Sequence, residues 1–254
     1  VAKMITSLAF LYGRAVDLNM LAGGFKNDLV ALGDTTPHDE RYERTTEYTL
    51  IVKQLLESSV GVTVEGRYYN VSNLKLTPPI PEELRPRVLI SGSSDAGMAA
   101  AEAIGATGVR YPRHASEESD VAERFAVPVG IRIGILARDD ADTAWKEAHE
   151  RFPDERKGQL THQLAMKVSD SQWHRQLSES GTAAKASTEG EDPYWLGPFE
   201  NSHTFCPYLV GSYDVVANAV RQYIDVGFRT FILDIPPSED ELAHIGHVFE
   251  RAAA

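Results

Sequence analysis

Short apolar runs alternate with helix-forming runs along nearly the whole chain, and this alternation constrains the fold more than any other feature. A short apolar run bounded by turn residues predicts a buried strand, whereas apolar residues three and four apart predict a helix. The strands of parallel type are predicted at residues 15–21, 88–91, 107–111, 129–137 and 230–233. Strands separated by helices favour an α/β fold. A doubly wound sheet and part of a (β/α)8 barrel both fit, and both place ligands at the carboxyl ends of the strands.

Helical periodicity and punctuation residues predict the remaining elements. Gly13 ends the first helix, and Thr36-Pro37-His38-Asp39 is interpreted as a capping box that opens a long second helix. The helices are predicted at residues 1–12, from 38 onward, and at 94–104, 117–125, 141–152, 212–226 and 238–251. A small hairpin is predicted at residues 62–71. Residues 153–207 are interpreted as an irregular insertion, with helical patches around Leu164 and Trp173. Its part at 178–193 is interpreted as a mobile lid or, equally, as a disordered surface loop.

Composition excludes several broad classes of function. The chain has 254 residues and a formal net charge of -12, so nucleic acid is not an expected partner. There is one cysteine, which allows no intrachain disulfide and fits a cytoplasmic protein. No apolar run is long enough to span a membrane, so no membrane association is expected.

The segment from Val88 to Ala101 joins an apolar strand to an Ala-rich helix through a Gly/Ser turn. The first amides of a helix have no intrahelical acceptor and carry partial positive charge, so such an end can bind phosphate. Gly92 allows close approach, and Ser93 and Ser94 offer hydroxyl groups. The same residues fit an ordinary turn with a serine N-cap. Their spacing matches neither the Walker nor the dinucleotide glycine motif.

Other chemistry-bearing residues form no strong motif. His244 and His247 lie three residues apart on a predicted helix, but no further ligand accompanies them, so no metal is expected. No nucleophile elbow supports Ser/His/Asp hydrolysis. Cys206, which precedes Pro207, is interpreted as structural rather than nucleophilic.

Several stretches, taken together and in order, resemble the bacterial luciferase-like flavin monooxygenases, especially the alkanesulfonate and long-chain-alkane monooxygenase branch. They are YGRAVDLN at 12–19, HDERYE at 38–43, ISGSSD at 90–95, GIR at 130–132 with AW at 144–145, LVGS at 209–212, GF at 227–228 and FIL at 231–233. Each stretch is weak alone, but the ordered set is fairly specific. The resemblance covers almost the entire chain and is poorest at residues 169–201.

The resemblance implies a (β/α)8 barrel of the luciferase-like type, formed by residues 1–254 as a single domain and represented from about the third helix onward. Strand 15–21 would be the fourth strand of that barrel. The chain opens abruptly inside an apolar helix, and five strands of a barrel would expose two long edges. We therefore expect that further strands precede this sequence; the alternative is a naturally shortened barrel.

Positions that match the family's flavin site lie at three places in the chain: the turn at 92–94, the helix that opens at His38, and the end of strand 15–21. The resemblance implies that these residues bind the cofactor: Gly92, Ser93, Ser94, Tyr42, Asn19, Ala22 and Gly23. Ser94, with Ser93, matches the serine that binds the flavin phosphate. Tyr42 fits the helix core equally well.

Two residues are candidates for catalysis. Arg132 matches an active-site arginine of the sulfonate enzymes and would stabilise an anion; its structural alternative is an ion pair with Asp17 or Asp234. His38 precedes the long helix and would donate a proton, or it serves as a cap or surface residue. The histidine expected two residues after the arginine is replaced by Gly134. The family's later tyrosine and histidine fall at Pro236 and Ser238, so the sulfonate-handling set is largely missing.

The resemblance implies a two-component monooxygenase that uses reduced FMN, supplied by a separate NAD(P)H:flavin reductase, and O2 to oxygenate a small organic substrate. The missing sulfonate-handling residues indicate a substrate other than an alkanesulfonate. A homodimer or tetramer is implied by the resemblance. One alternative is a deazaflavin (F420)-dependent oxidoreductase of the same superfamily. Another is a non-catalytic flavin-binding protein built on a shortened barrel.

Overall fold

The computed structural model describes residues 1–119, 121, 125–168 and 192–254, which form two compact units. The first unit comprises residues 1–24 and 28–108, and the second comprises residues 25–27 and 109–254. The chain crosses between the units at the short helix α2 (Lys26–Ala31) and within strand β5 (Thr107–Arg110). The expectation of a single domain over residues 1–254 stays a prediction.

The first unit combines a parallel strand pair with three helices and a hairpin. Strand β1 (Leu18–Met20) pairs in parallel with β4 (Val88–Ser91), and β2 (Val62–Glu65) pairs antiparallel with β3 (Asn70–Leu74). Its helices are α1 (Ala2–Tyr12), α3 (His38–Glu57) and α4 (Asp95–Ile104), with a short 3-10 turn at Glu82–Leu84. The hairpin is confirmed, and strand 15–21 is shorter than expected.

Helices α1 and α3 share an apolar core with the connector that precedes β4. The residues of this cluster are Ala2, Ile5, Ala9, Val52, Leu56, Leu76 and Ile80. Gly13 ends α1 with φ +60°, a left-handed conformation that glycine adopts without a steric penalty. The predicted end of α1 is therefore confirmed.

The capping box predicted at residues 36–39 is wrong. Pro37 is the residue before α3, and it has no side chain that can accept a hydrogen bond from the helix. Thr36 lies one residue outside that position, and its hydroxyl accepts a hydrogen bond from Arg44 Nη1 at 3.2 Å. Its carbonyl accepts one from Arg41 Nη1 at 2.9 Å. Two arginines of the helix therefore hold Thr36.

The second unit is built around the ten-residue strand β6 (Val129–Arg138), whose side chains are almost all buried. The first part of β6 pairs in parallel with β9 (Thr230–Leu233), and its second part pairs in parallel with β8 (Tyr208–Ser212). The short strand β7 (Tyr194–Trp195) pairs antiparallel with β8. The helices are α5 (Ala141–Arg151), α6 (Arg156–Val168), α7 (Gly197–Glu200), α8 (Tyr213–Asp225) and α9 (Glu239–Ala253), with a 3-10 turn at Ala115–Glu117.

The interpretation of residues 153–207 as irregular is wrong in part. Helix α6 occupies its first portion, so the helical patch predicted around Leu164 is confirmed. Strand β7 and helix α7 lie near its end, and β8 begins directly after it. Strand β7 has only two residues, too few for a period to be recognised. The patch at Trp173, most of the lid at 178–193 and part of the helix at 117–125 lie outside the described residues.

Helix α8 begins after Ser212 and helix α9 after Ser238, and each serine side chain accepts a hydrogen bond from the amide three residues later. Both starts agree with the sequence prediction to within a residue. In the parts of the chain that the structure describes, no helix has the length and apolar content needed to cross a bilayer.

Candidate functional site

The turn between β4 and α4 is a tightly packed element of the first unit. Ser91, the last residue of β4, donates a hydrogen bond from Oγ to Oδ1 of Asn19 on the neighbouring strand β1, at 2.9 Å. Ser94 is the N-cap of α4, and its Oγ accepts from the Gly97 amide at 3.2 Å. A Cβ at Gly97 would lie 3.0 Å from the Gly92 carbonyl oxygen, so a small residue is needed where the helix meets the turn.

Tyr42, the fifth residue of α3, contacts the turn between β4 and α4. A Cβ at Gly92 would lie 2.3 Å from the Tyr42 hydroxyl, so glycine is required there for the tyrosine to approach. Tyr42 is 9% exposed. Burial raises the pKa of its phenol, and a hydrogen bond with the Ser94 side chain partly offsets that rise. The structure therefore brings together Gly92, Ser94 and Tyr42, three of the residues that the sequence assigned to cofactor binding.

The other candidates of the first unit are positioned in different ways. His38 is the first residue of α3, and its ring lies 5.2 Å from that of Tyr42. Its Nδ1 is 2.7 Å from Asp39 Oδ1, so a neighbouring carboxylate already partners it. Ala22 is buried, and Gly23 has φ +87°. Nη2 of Arg41 donates a hydrogen bond to the Gly23 carbonyl at 3.5 Å.

The turn has the properties of an anion site. Helix α4 is ten residues long, and the first amides of a helix have no intrahelical acceptor and carry partial positive charge. Ser94 Oγ satisfies the Gly97 amide, so the serine acts as the N-cap of the helix. Ser93 is half-buried and offers a hydroxyl, whereas Ser94 is 8% exposed and is engaged in the cap. The residues present therefore fit a phosphate group.

A second polar cluster lies in the second unit, around Arg132 of β6. Nη2 of Arg132 lies 3.3 Å from Asp234 Oδ1, and the Tyr208 hydroxyl donates to Asp234 Oδ2 at 2.8 Å. Asp234 directly follows β9, at the carboxyl end of that strand, where α/β folds place their ligands. Of the two partners considered for Arg132, Asp234 is confirmed. Asp17 instead pairs with Arg87, at 2.7 Å.

The Tyr208 ring of the same cluster explains why position 134 is a glycine. Gly134 of β6 is paired in register with Tyr208 of β8, and a Cβ at position 134 would lie 2.2 Å from the tyrosine ring. The space beside β6 that the resemblance assigned to a histidine is therefore filled by a tyrosine from another strand.

The remaining members of the cluster are neutral at ordinary pH. Burial raises the pKa of the Cys206 thiol to about 12, with the nearby Asp234 carboxylate acting in the same direction. Burial also raises the pKa of Tyr208 and of Tyr111. Cys206 is fully buried, which agrees with the structural interpretation. The charges of the cluster are thus those of Arg132 and Asp234.

Sequence reasoning missed Tyr111 and Tyr208 and treated Asp234 only as an ion-pair partner. Tyr111 and Asp234 each follow directly on a strand of parallel type. That position was a usable signal, because ligands bind at such strand ends. Tyr208 gave no such signal, since β8 itself was not predicted. In the described portion of the chain, no three His, Cys, Asp or Glu side chains are grouped so as to hold a metal ion.

A family model and a related protein of known name both match this chain over most of its length. The family model described as luciferase-like monooxygenase matches residues 1–230. The 4-(gamma-L-glutamylamino)butanoyl-[BtrI acyl-carrier protein] monooxygenase BtrO of Niallia circulans is 36% identical over 258 residues, which cover 98% of this chain and 73% of that protein.

Solved structures of similar fold include three enzymes. EDTA monooxygenase from Chelativorans sp. BNC1 has a TM-score of 0.67 at 18% identity, over 99% of this chain and 69% of its own. An F420-dependent secondary alcohol dehydrogenase has a TM-score of 0.62 at 15% identity, over 99% and 74%. The monooxygenase RslO1 from Streptomyces bottropensis has a TM-score of 0.61 at 16% identity, over 100% and 74%. The expected fold class, an α/β barrel of luciferase-like type, is confirmed.

Proposed function

We propose that this chain, which belongs to the luciferase-like monooxygenase family, oxygenates a small organic substrate other than an alkanesulfonate, using O2 and reduced FMN delivered by a separate NAD(P)H:flavin reductase. A cytoplasmic homodimer or tetramer is part of the same proposal. The 36% identical relative is named as a monooxygenase of an acyl-carrier-protein substrate, which supports oxygenation of an organic compound that is not a sulfonate.

The observation that carries the choice of a phosphate-bearing flavin is the turn between β4 and α4. The proposal is supported by the close approach of the Tyr42 hydroxyl to Gly92, by the serine cap and by the N-terminus of α4 at this turn. In this proposal Ser93, Ser94 and the first amides of α4 hold the flavin phosphate, and Asn19, Ala22 and Gly23 line the strand end beneath the ring. Tyr42 hydrogen-bonds the cofactor.

Reduced flavin, when bound, supplies the electrons that activate oxygen. The protein's own residues then have three tasks, which are to anchor the phosphate, to exclude water and to position the substrate. Arg132 would help to position the substrate by donating a hydrogen bond to one of its oxygens. His38, whose ring lies 5.2 Å from that of Tyr42, would supply a proton.

An F420-dependent oxidoreductase is the second candidate, because an F420-dependent alcohol dehydrogenase shares the fold at a TM-score of 0.62. That likeness is at 15% identity and extends only to the fold, whereas the 36% identical relative is a monooxygenase. Monooxygenation is therefore the better supported function. A non-catalytic flavin-binding role is the remaining alternative.

Anaerobic titration of the protein with reduced FMN and with reduced F420, followed by absorbance, separates these functions. We expect reduced FMN to bind and admission of O2 to be followed by oxygen uptake. Binding of reduced F420 without oxygen consumption would instead support hydride transfer. Binding of reduced FMN without any change in its rate of oxidation would support the non-catalytic role.

A further inference from the structure

The Arg132 cluster has a charge balance that bears on the kind of substrate this protein accepts. Asp234 uses one carboxylate oxygen for Arg132 and the other for Tyr208, so both are committed. The side chain of Asp234 is 18% exposed and that of Arg132 is 36% exposed, so water screens this pair only partly. With Tyr208 and Cys206 neutral, the guanidinium charge is already compensated.

The guanidinium nevertheless keeps a donor available. Arg132 Nε is shielded from solvent, and among residues 1–119, 121, 125–168 and 192–254 it has no hydrogen-bond acceptor. A buried N–H without an acceptor costs free energy, and a ligand oxygen would remove that cost. An anionic group at this position would bring a second negative charge close to the Asp234 carboxylate, where weak screening makes repulsion strong. A neutral oxygen would accept the hydrogen bond without that repulsion.

We propose that the Arg132 cluster binds a neutral, hydrogen-bond-accepting group of the substrate, such as an amide or ester carbonyl, and that Asp234, held by Tyr208, excludes anionic substrates. The assignment of the cluster to substrate recognition rests on the proposed oxygenase function. Asp234 is then a specificity-determining residue, and Tyr208 is a positioning residue that acts through it. The ring of Tyr208 also occupies the space beside Gly134, so a second cation cannot be added there without displacing it.

The test compares two probes that share an alkyl chain and differ in head-group charge, hexanamide and hexanoate, by calorimetric titration of the purified protein. We expect the wild type to bind hexanamide at least about tenfold more tightly than hexanoate. Asp234→Asn should tighten hexanoate binding by at least about tenfold and change hexanamide binding by less than about threefold. Tyr208→Phe should shift the ratio of hexanamide to hexanoate affinity in the same direction by a smaller factor. The Asp234 carboxylate remains in this variant, but the tyrosine hydroxyl no longer holds it in place.

Two controls identify the origin of the shift. Asp234→Asn combined with Arg132→Met should lose the gain in hexanoate affinity, since the uncompensated cation is then absent. Asp214→Asn changes the net charge by the same amount on an exposed side chain that pairs with Arg251, and it should leave the ratio unchanged. Thermal unfolding of each variant shows that it is folded.

Three results would overturn the inference: wild-type protein that prefers hexanoate, an unchanged ratio in both Asp234→Asn and Tyr208→Phe, or failure of the wild type to bind either probe. Titration of the same samples with reduced FMN keeps the two proposals apart. Amide preference without any flavin binding would reject the oxygenase function, whereas flavin binding with oxygen uptake and no amide preference would reject only the substrate class.

Discussion

Ser94 combines a structural role with the ligand-binding role that we propose for it. Its hydroxyl caps α4 by accepting the Gly97 amide, and this cap helps to place the turn that we propose for the flavin phosphate. Substitution by alanine would therefore mix two effects, since loss of a serine N-cap alone costs about 1 kcal/mol of stability.

Aspartate separates these effects because it caps helices as well as serine does but carries a negative charge. We expect Ser94→Asp to keep the unfolding free energy within about 0.5 kcal/mol of the wild type and to weaken reduced FMN binding by at least about tenfold through repulsion of the phosphate. Ser94→Ala should lower the unfolding free energy by about 1 kcal/mol. Urea unfolding and anaerobic flavin titration measure the two quantities.

Ser212 supplies the matched control for that experiment. It caps α8 in the second unit with the same geometry, accepting from the Val215 amide. Ser212→Ala should cost a similar free energy of unfolding and leave the affinity for reduced FMN unchanged. Wild-type affinity in Ser94→Asp would show that the phosphate binds elsewhere.

At the scale of elements, the contact between β6 and β8 depends on a glycine. We expect Gly134→Ala to lower the unfolding free energy by about 1–3 kcal/mol, because its Cβ would overlap the Tyr208 ring. In a Tyr208→Leu background the same substitution should cost less, giving a coupling of about 1 kcal/mol or more in a double-mutant cycle. Urea unfolding of the four proteins measures this coupling.

Gly246 provides the comparison, because a Cβ on that residue of α9 meets nothing within 4 Å. Gly246→Ala should stabilise the protein by about 0.5–1 kcal/mol, through helix propensity alone. Strict additivity of the Gly134 and Tyr208 substitutions would contradict the proposed packing of these two strands.

An ionic network joins β6, α5 and α9. Glu241, which is 4% exposed, accepts hydrogen bonds from Arg138 Nη1 at 3.1 Å and Nη2 at 3.0 Å, and it also pairs with Arg151. Burial opposes the ionised carboxylate, but the two arginines outweigh it and lower the pKa of Glu241 below its ordinary value of 4.5. The stability from this ionisation is therefore complete above pH 4.5 and is lost as the pH falls through the lower, folded-state pKa.

We accordingly expect Glu241→Gln to lower the unfolding free energy by about 3 kcal/mol at neutral pH, because it leaves the arginines without their shared carboxylate. The variant should also lose less stability than the wild type on acidification below pH 4.5. Chemical denaturation across the pH range tests both effects. Glu250→Gln, on an exposed part of the same helix, should leave both the stability and its pH dependence close to those of the wild type.

At the scale of the whole molecule, the net charge of -12 would repel the anionic cofactor that we propose. Long-range repulsion should slow the approach of reduced FMN at low salt, while the local amides of α4 hold the phosphate once it is bound. We expect the association rate constant, measured by stopped flow, to rise between about 10 and 150 mM salt as the field is screened. Riboflavin, which lacks the phosphate, should show little change. A fall in the rate for FMN would mean that a local positive potential guides the cofactor.

The sequence by itself determined the features that depend on neighbouring residues. Apolar periodicity placed β4, β6, β9 and most helices, because alternation and helical spacing report the local backbone directly. Gly13, Ser212 and Ser238 marked helix ends for the same reason, since capping involves residues only a few positions apart. The turn at 92–94 was predicted from the same local chemistry, and the structure confirms Ser94 as the N-cap of α4.

The tertiary structure decided the pairings between distant parts of the chain. Asp234, rather than Asp17, became the partner of Arg132 because β9 lies beside β6, a fact that no local pattern contains. Tyr208 filled the space beside Gly134 because β8 pairs with the far half of β6. Strand pairing joins residues far apart in sequence, and its register sets which side chains meet. Local physical chemistry thus specified the elements and the turn, whereas the composition and charge of the Arg132 cluster arose only from packing.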